Sequence, residues 1–310
     1  MKINRKFRGY LLGAVAAATY GLNPLFALPL YEDGMNPDSV LFFRYLLALP
    51  IVAAMLLFRR RSFNPGRRNW LPLLMMGFIF VVSSLSLFES YRYMPAGLAS
   101  TLLFVYPIMV AVIMVLFYKE KLTLLTAGSI VTATAGIALL YQGDGAPVSA
   151  IGSVLVFVSS LSYAIYIVYI NHSRLTGVPT LAVTFYVLLF GWSMLAVKAL
   201  AGSTLMLPSE PAHWLNIGAL ALFPTAISLL CTTAAIQDIG STPTAILGAL
   251  EPVTAVAVGA VVFGEALTPR LCVGLVMIIG AVSCVVAGGR VNEALTRFRR
   301  LFPSLRRRRG

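Results

Sequence analysis

Charged residues are scarce in this 310-residue chain. Asp, Glu, Lys and Arg make up 11% of the sequence and apolar residues 59%, whereas a typical soluble domain carries about 25% charged residues. The mean hydropathy is +0.86. These values exclude a soluble enzyme, a disordered protein and a secreted disulfide-stabilised fold, because too little of the surface would suit water. A polytopic membrane protein is the class that remains.

Residues and motifs that support common chemistries are also scarce. The chain has two histidines and three cysteines, and Cys231, Cys272 and Cys284 lie in apolar stretches without Cys-x-x-Cys spacing. This pattern predicts small buried thiols, with neither a disulfide framework nor a zinc site. No P-loop, His-Glu-x-x-His or Gly-x-Ser-x-Gly motif occurs. We therefore expect neither an ATP-hydrolysing pump nor an enzyme, and no cofactor or metal.

Long apolar runs occupy most of the chain. A helix needs about 20 apolar residues to cross a bilayer. Ten segments are close to this length: 9–30, 39–58, 70–88, 96–118, 123–141, 150–170, 180–200, 213–236, 243–263 and 270–288. The first segment is too long for a typical signal peptide, and the connections are too short for a soluble domain. The sequence thus predicts an all-α integral membrane protein with ten transmembrane helices.

Positive charge is concentrated in alternate connections. If the N-terminus lies inside the cell, 20 of the 24 Lys and Arg residues fall on the inner side. The positive-inside rule therefore predicts that both termini are inside, in a multi-pass protein of the bacterial inner (plasma) membrane. Residues 291–310 form a basic cytoplasmic tail that either lies on anionic lipids or only sets the topology. The basic clusters alternate with apolar runs, so the net charge of +13 does not indicate nucleic-acid binding.

Two stretches of the chain repeat each other. Residues 107–123 read PIMVAVIMVLFYKEKLT, and residues 252–268 read PVTAVAVGAVVFGEALT. We predict two five-helix repeats, 1–145 and 146–290, with inverted topology because five crossings reverse the direction of the chain. The turn at Glu120 keeps Lys119 and Lys121, whereas the turn at Glu265 has no lysine, as expected if it faces outward. Inverted repeats are typical of secondary transporters, whose substrate site lies near the membrane midplane.

The sequence resembles the drug/metabolite transporter superfamily, specifically its ten-helix EamA-type carriers. The resemblance spans about 9–288 and rests on FFRYLLALP (42–50), ASTLLFVYPIMVAVIMVLFYKEKLT (99–123) and ILGALEPVTAVAVGAVVFGEALT (246–268). The chain departs from the family at Tyr118-Lys119, where a small residue often precedes the glutamate. The resemblance implies transport of amino acids, other metabolites or drugs, most often by efflux. Two rival interpretations are a membrane scaffold or channel subunit and an intramembrane enzyme acting on lipid-linked substrates.

Two charges, Arg44 and Glu251, lie well away from the ends of their predicted spans, and a charge at the bilayer centre costs about 2.5–3.5 kcal/mol. Glu251 precedes Pro252, which is predicted to kink the helix and expose carbonyl groups. It can bind a substrate ammonium group, carry a coupling proton, pair with Arg44, or simply bond neighbouring hydroxyls. Tyr106 holds the equivalent position in the first repeat. Arg44 can bind a substrate carboxylate or phosphate, extend outward to headgroups, or lock an outer gate with Glu89.

Polar and aromatic side chains complete the candidate substrate site. Asn23-Pro24 and Pro224-Thr225 interrupt the first and eighth spans, and Ser228 adds a hydroxyl. Tyr163 and Tyr166 share one face of the sixth span, where an aromatic wall would suit amphipathic or planar substrates. The predicted substrate-binding residues are Glu251, Arg44, Tyr106, Asn23, Tyr163, Tyr166, Thr225 and Ser228. The expected partners are a small-molecule substrate and membrane lipids, and either a coupling proton or the substrate's own gradient drives transport.

Overall fold

The structure, a computed structural model, describes residues 5–94, 96–140, 149–202, 205–262 and 268–301. Fourteen α-helices form this part of the chain, and we number them in chain order. They are α1 Arg5–Tyr20, α2 Asn23–Glu32, α3 Pro37–Phe58, α4 Trp70–Ser90, α5 Ala96–Leu103, α6 Tyr106–Tyr118, α7 Leu124–Leu140, α8 Ala150–His172, α9 Thr180–Leu200, α10 Pro211–Leu220, α11 Ser228–Ile239, α12 Ser241–Leu247, α13 Leu250–Val262 and α14 Pro269–Leu301. Short 3₁₀ turns lie at Arg67–Asn69 and Arg174–Gly177, and a π-helical segment at Ala221–Ile227 joins α10 to α11.

The ten predicted membrane segments correspond to ten apolar rods. Eight continuous or nearly continuous helical stretches are long and apolar enough to span a membrane, and the shorter apolar helices α6 and α7 belong to the other two. Four rods are composite: α1 with α2, α5 with α6, α10 with α11, and α12 with α13. The prediction of an all-helical, ten-span membrane protein is therefore confirmed.

Local sequence signals explain where several rods begin. The Asn36 side chain accepts a hydrogen bond from the Ser39 backbone N–H at 2.8 Å, and Pro37 opens α3. Ser149 caps α8 in the same way through the Gly152 N–H. A side-chain oxygen at this position satisfies a backbone donor that the first helical turn leaves without a partner. These caps fix the start of the second and sixth spans.

Different contacts join the helices at the two ends of the bundle. At the first, Arg5 and Arg8 bond Asp238, and Thr242 donates to Glu120. At the opposite end, Lys198 bonds Asp38, and His213 lies 3.0 Å from an Asp33 carboxylate oxygen. We call these the basic end and the acidic end. Basic residues at the basic end include Arg5, Lys6, Arg8, Arg59, Arg60, Arg61, Arg67, Arg68, Lys119, Lys121 and Arg174, whereas Arg92, Lys198 and Arg270 belong to the acidic end.

Four helix pairs account for much of the packing between rods. Helix α1 packs on α11, and α4 packs on α8. Helices α7 and α14 pack on each other, as do α3 and α9. At the α7–α14 crossing, a Cβ on Gly136 would lie 2.9 Å from the Gly274 carbonyl oxygen, so the two backbones nearly touch.

The three cysteines, the end of the last helix and the turn at Glu265 are compared here with their predictions. The prediction of buried thiols was wrong for Cys272 and Cys284, which are exposed on the outer surface of α14, while Cys231 is half-buried. An apolar surface can hold an exposed thiol in a membrane bundle, because the surrounding lipid is itself apolar.

Helix α14 continues to Leu301, so the first part of the predicted tail extends the last rod. Glu265 lies outside the described residues, and the inverted orientation of its turn stays a prediction.

Candidate functional site

Breaks in three rods meet near the middle of the bundle. The chain leaves helical geometry between α1 and α2, between α5 and α6, and between α12 and α13. A proline follows each break, at Pro24, Pro107 and Pro252, in the first turn of the next helix. Proline suits this position because the backbone N–H that it lacks would have no helical partner there. The predicted kink at Pro252 is thus a complete break one turn earlier in the helix.

Two glycines allow the broken rods to approach Glu251 closely. A Cβ on Gly21 would overlap the Glu251 carbonyl oxygen and would lie 3.0 Å from the Thr254 Cβ. A Cβ on Gly248 would overlap the Tyr106 hydroxyl group. The first and fourth spans therefore touch the ninth at its break. This packing places Glu251, in the first turn of α13, among three spans.

Glu251 lines two small cavities. The larger one, about 40 Å³, is also bounded by Tyr20, Asn23, Tyr91 and Ala255. The smaller one, about 10 Å³, lies towards Tyr106, Tyr163, Thr232 and Thr244. Volumes of this size suit at most a few water molecules. The bundle is therefore in a closed conformation around the carboxyl group, and a metabolite would enter only after the helices move apart.

Tyr106 and Tyr163 line the smaller cavity and belong to a larger cluster of tyrosine rings. The Tyr106 and Tyr163 rings meet edge to face with their centroids 4.9 Å apart, and Tyr20 stacks on Tyr163 at 6.4 Å. Tyr166 stacks on Tyr163 at 6.1 Å and contacts Phe80 on its other side. The predicted aromatic wall on α8 is therefore present. It continues onto α1 and α6, which makes it a partial cage.

Arg44 lies in a separate buried cluster. It is 1% exposed, and its Nε donates to the Thr225 hydroxyl. One terminal nitrogen donates to Asn23 Oδ1 at 2.9 Å and the other to the Pro224 carbonyl oxygen at 3.2 Å. That carbonyl belongs to the π-helical segment. The altered hydrogen bonding of this segment and its internal proline leave carbonyl oxygens without helical partners. The interruption predicted at Pro224-Thr225 thus provides two of the oxygens that hold Arg44.

The positions of these partners decide between the roles considered for Arg44. Its guanidinium group does not extend to headgroups, since it is buried and lies over the Phe88 ring at 5.3 Å from the centroid. It also does not pair with Glu89, because the Glu89 carboxylate bonds Arg92 at 2.8 Å. In the described residues no ion pair joins Arg44 to Glu251.

Asn23 connects the two clusters. Its Oδ1 accepts from Arg44, whereas its Nδ2 is buried without a partner, and the residue also lines the larger Glu251 cavity. Of the predicted site residues, Glu251, Tyr106, Tyr163 and Asn23 line the cavities. Arg44 and Thr225 join them through Asn23. The other two lie aside: Tyr166 packs against Phe80, and the Ser228 hydroxyl donates to the Ala16 carbonyl at 3.0 Å.

Three residues of this region were not among the predicted site residues. Tyr20 contributes a ring to the cage, Phe88 lies beneath the Arg44 guanidinium group, and the Thr232 hydroxyl reaches the smaller cavity. Tyr20 could have been found, because it stands directly before the Gly21–Pro24 interruption. Phe88 gives no such signal, since it is one apolar residue in a long apolar run.

Helix breaks inside membrane-spanning rods, with Arg44 and Glu251 near them, are typical of polytopic membrane carriers. The EamA-like transporter family model matches residues 7–142 and again residues 150–287. The chain therefore belongs to the EamA-like transporter family and is a membrane transporter. It is a multi-pass protein of the bacterial inner membrane. Membership implies a small-molecule substrate and lipid surroundings.

Relatives match over nearly their whole length. The chain is 24% identical over 293 residues to the uncharacterized transporter YcbK of Bacillus subtilis (strain 168), covering 90% of this chain and 91% of the relative. It is 26% identical over 269 residues to the uncharacterized inner membrane transporter YedA of Escherichia coli (strain K12), covering 85% and 86%. A solved chain described as "Crystal structure of protein" superposes with a TM-score of 0.78 at 18% identity, covering 91% of this chain and 98% of that one. At this identity the structural match supports the fold alone.

Proposed function

We propose that the protein is a secondary transporter for small polar or amphipathic metabolites, amino acids or related compounds, and that it moves them outward by alternating access. The observation that carries this proposal is the position of Glu251. An ionisable group within a membrane bundle is costly and commonly marks a substrate or ion pathway. Here it lies at a helix break, lines two internal cavities and forms no ion pair within the described residues.

The proposed mechanism exchanges the conformations of two halves. Residues 1–145 and 146–290 act as inverted five-helix repeats, with both termini inside the cell, so that the basic end faces the cytoplasm. Opening to the cytoplasm separates Arg5 and Arg8 from Asp238, whereas opening to the outside breaks the Asp33–His213 and Asp38–Lys198 contacts. These contacts hold opposite ends of the bundle, which suits a carrier that opens one end at a time.

The predicted site residues take distinct parts in this proposal. Glu251 binds the substrate or the coupling proton, and Tyr106 and Tyr163 contact the apolar part of the substrate. Asn23 offers its Nδ2 donor to the cavity and holds Arg44 through its Oδ1. Arg44 and Thr225 sit behind Asn23 and become available to substrate only when the bundle opens. Tyr166 and Ser228 support the walls of the site.

Counterflow in proteoliposomes tests the proposed function. Labelled amino acids and related metabolites are offered to wild-type protein, to Glu251→Gln and to Glu89→Gln. The last is a matched control because it makes the same chemical change in a surface pair. We expect saturable exchange by the wild type and the control, and at least about a tenfold loss in Glu251→Gln, since a hydrogen bond to a charged group contributes about 1.5–3 kcal/mol.

Other outcomes would contradict the proposal in recognisable ways. Flux that does not saturate would indicate a channel. If correctly inserted wild-type protein exchanges no solute in the panel, the scaffold and enzyme interpretations are favoured. Equal exchange by Glu251→Gln and the wild type would remove Glu251 from the mechanism.

A further inference from the structure

Tyrosines accompany the carboxyl group of Glu251 in both cavities: Tyr20 and Tyr91 in the larger one, and Tyr106 and Tyr163 in the smaller one. Among the described residues that line these cavities, Glu251 is the only Asp, Glu, Lys or Arg. The described polar groups that accompany Glu251 there are neutral hydroxyl and amide groups, so the surroundings favour a positive guest.

The buried arginine does not supply the missing positive charge. Asn23 Oδ1, the Thr225 hydroxyl and the Pro224 carbonyl already accept from its three nitrogen atoms, and Phe88 covers one face. These bonds use three of the five guanidinium N–H donors, and Arg44 is 1% exposed, so a substrate carboxylate would reach the other two donors only after the cluster opens.

We infer that the site recognises the ammonium group of an organic amine, and that it does not require the carboxylate of an amino acid. The inference rests on the proposed function and narrows its substrate class. An ammonium group beside Glu251 forms a charge-assisted hydrogen bond, and the tyrosine faces attract the same cation through their negative π-surfaces. Tyr163 contacts both Tyr20 and Tyr106, so the three rings form one cluster beside Glu251 whose faces become accessible when the helices move apart.

Three probe compounds, each with one phenyl group, test the amine and the carboxylate of a substrate separately. They are 2-phenylethylamine, phenylalanine and 3-phenylpropionate, which carry the amine alone, both groups and the carboxylate alone. Each competes with the labelled solute that wild-type protein exchanges in proteoliposomes. We expect the amine to compete at concentrations at least about tenfold lower than phenylalanine, and the propionate not to compete.

Variants of the cage test the aromatic contribution. Tyr163→Phe keeps the ring and should retain competition by the amine within about threefold. Tyr163→Leu removes the π-face and should weaken competition by the amine about tenfold, which corresponds to about 1.4 kcal/mol of lost cation–π attraction. The thermal stability of each purified variant shows whether it is folded. A folded Tyr163→Leu protein with unchanged competition by the amine would overturn the role of the cage.

The outcomes distinguish this inference from the proposed function. Competition by phenylalanine that equals or exceeds that of the amine, or competition by the propionate, overturns the amine preference and leaves the transporter intact. Exchange of a labelled solute that none of the three probes slows also overturns it. Absence of any saturable exchange refutes the proposed function, and the inference with it.

Discussion

At the scale of single residues, Arg44 and Glu251 have different surroundings. Arg44 is held by a side-chain amide, a hydroxyl and a backbone carbonyl. Glu251 lines cavities and has no cationic partner within the described residues. From this contrast we infer that Arg44 mainly stabilises the closed state of the bundle, whereas Glu251 is available to a ligand.

The role of Arg44 predicts a stability difference between two conservative variants. Lysine keeps the charge but lacks the planar fork that reaches three acceptors. We expect Arg44→Lys to lower the free energy of unfolding by about 2 kcal/mol or more, because buried acceptors lose their donors. Arg92→Lys, at an exposed pair with Glu89, should change it by less than about 1 kcal/mol. Thermal unfolding in detergent measures both, and equal melting temperatures would contradict this account of Arg44.

At the scale of helices, breaks in the rods create the site. The sequence predicted an interruption at Asn23-Pro24 and a kink at Pro252, but it predicted no break before Tyr106-Pro107, and the break near Pro252 falls one turn earlier than the predicted kink. The contacts across them were not predictable. Nothing in the sequence pairs Gly21 with the Glu251 carbonyl or Asn23 with Arg44, since such contacts depend on how distant spans pack.

A methyl group added at Gly21, in the break between α1 and α2, tests the contact between this break and the ninth span. In Gly21→Ala the added Cβ would overlap the Glu251 carbonyl oxygen, which is backbone and cannot rotate away. We expect exchange to fall at least about tenfold, as is common when a site residue is displaced by about 1 Å. Gly218→Ala is the control, because a Cβ there meets nothing within 4 Å. Both proteins must be inserted at wild-type levels, and unimpaired exchange by Gly21→Ala would show that the contact is dispensable.

At the scale of the whole molecule, much of the fold follows from the sequence. Ten apolar segments, short connections and paired motifs were enough to predict the rods and the family. The sequence did not predict the extension of α14 or the exposure of Cys272 and Cys284. Hydropathy cannot separate a buried face from a lipid-facing one, because both are apolar in a membrane protein. The choice of partners for Arg44 was equally hidden, since it depends on tertiary packing.

The central claim is that the Glu251 cavity opens alternately to the two ends of the bundle. Ala255 lines this cavity, so a single cysteine at Ala255, in protein whose three native cysteines are replaced by serine, reports access to it. A membrane-impermeant thiol reagent is applied to right-side-out and inside-out vesicles, with and without a transported solute. We expect labelling from both sides, slowed in each case by the solute. Labelling from one side only, or labelling that the solute does not affect, would contradict alternating access through this site.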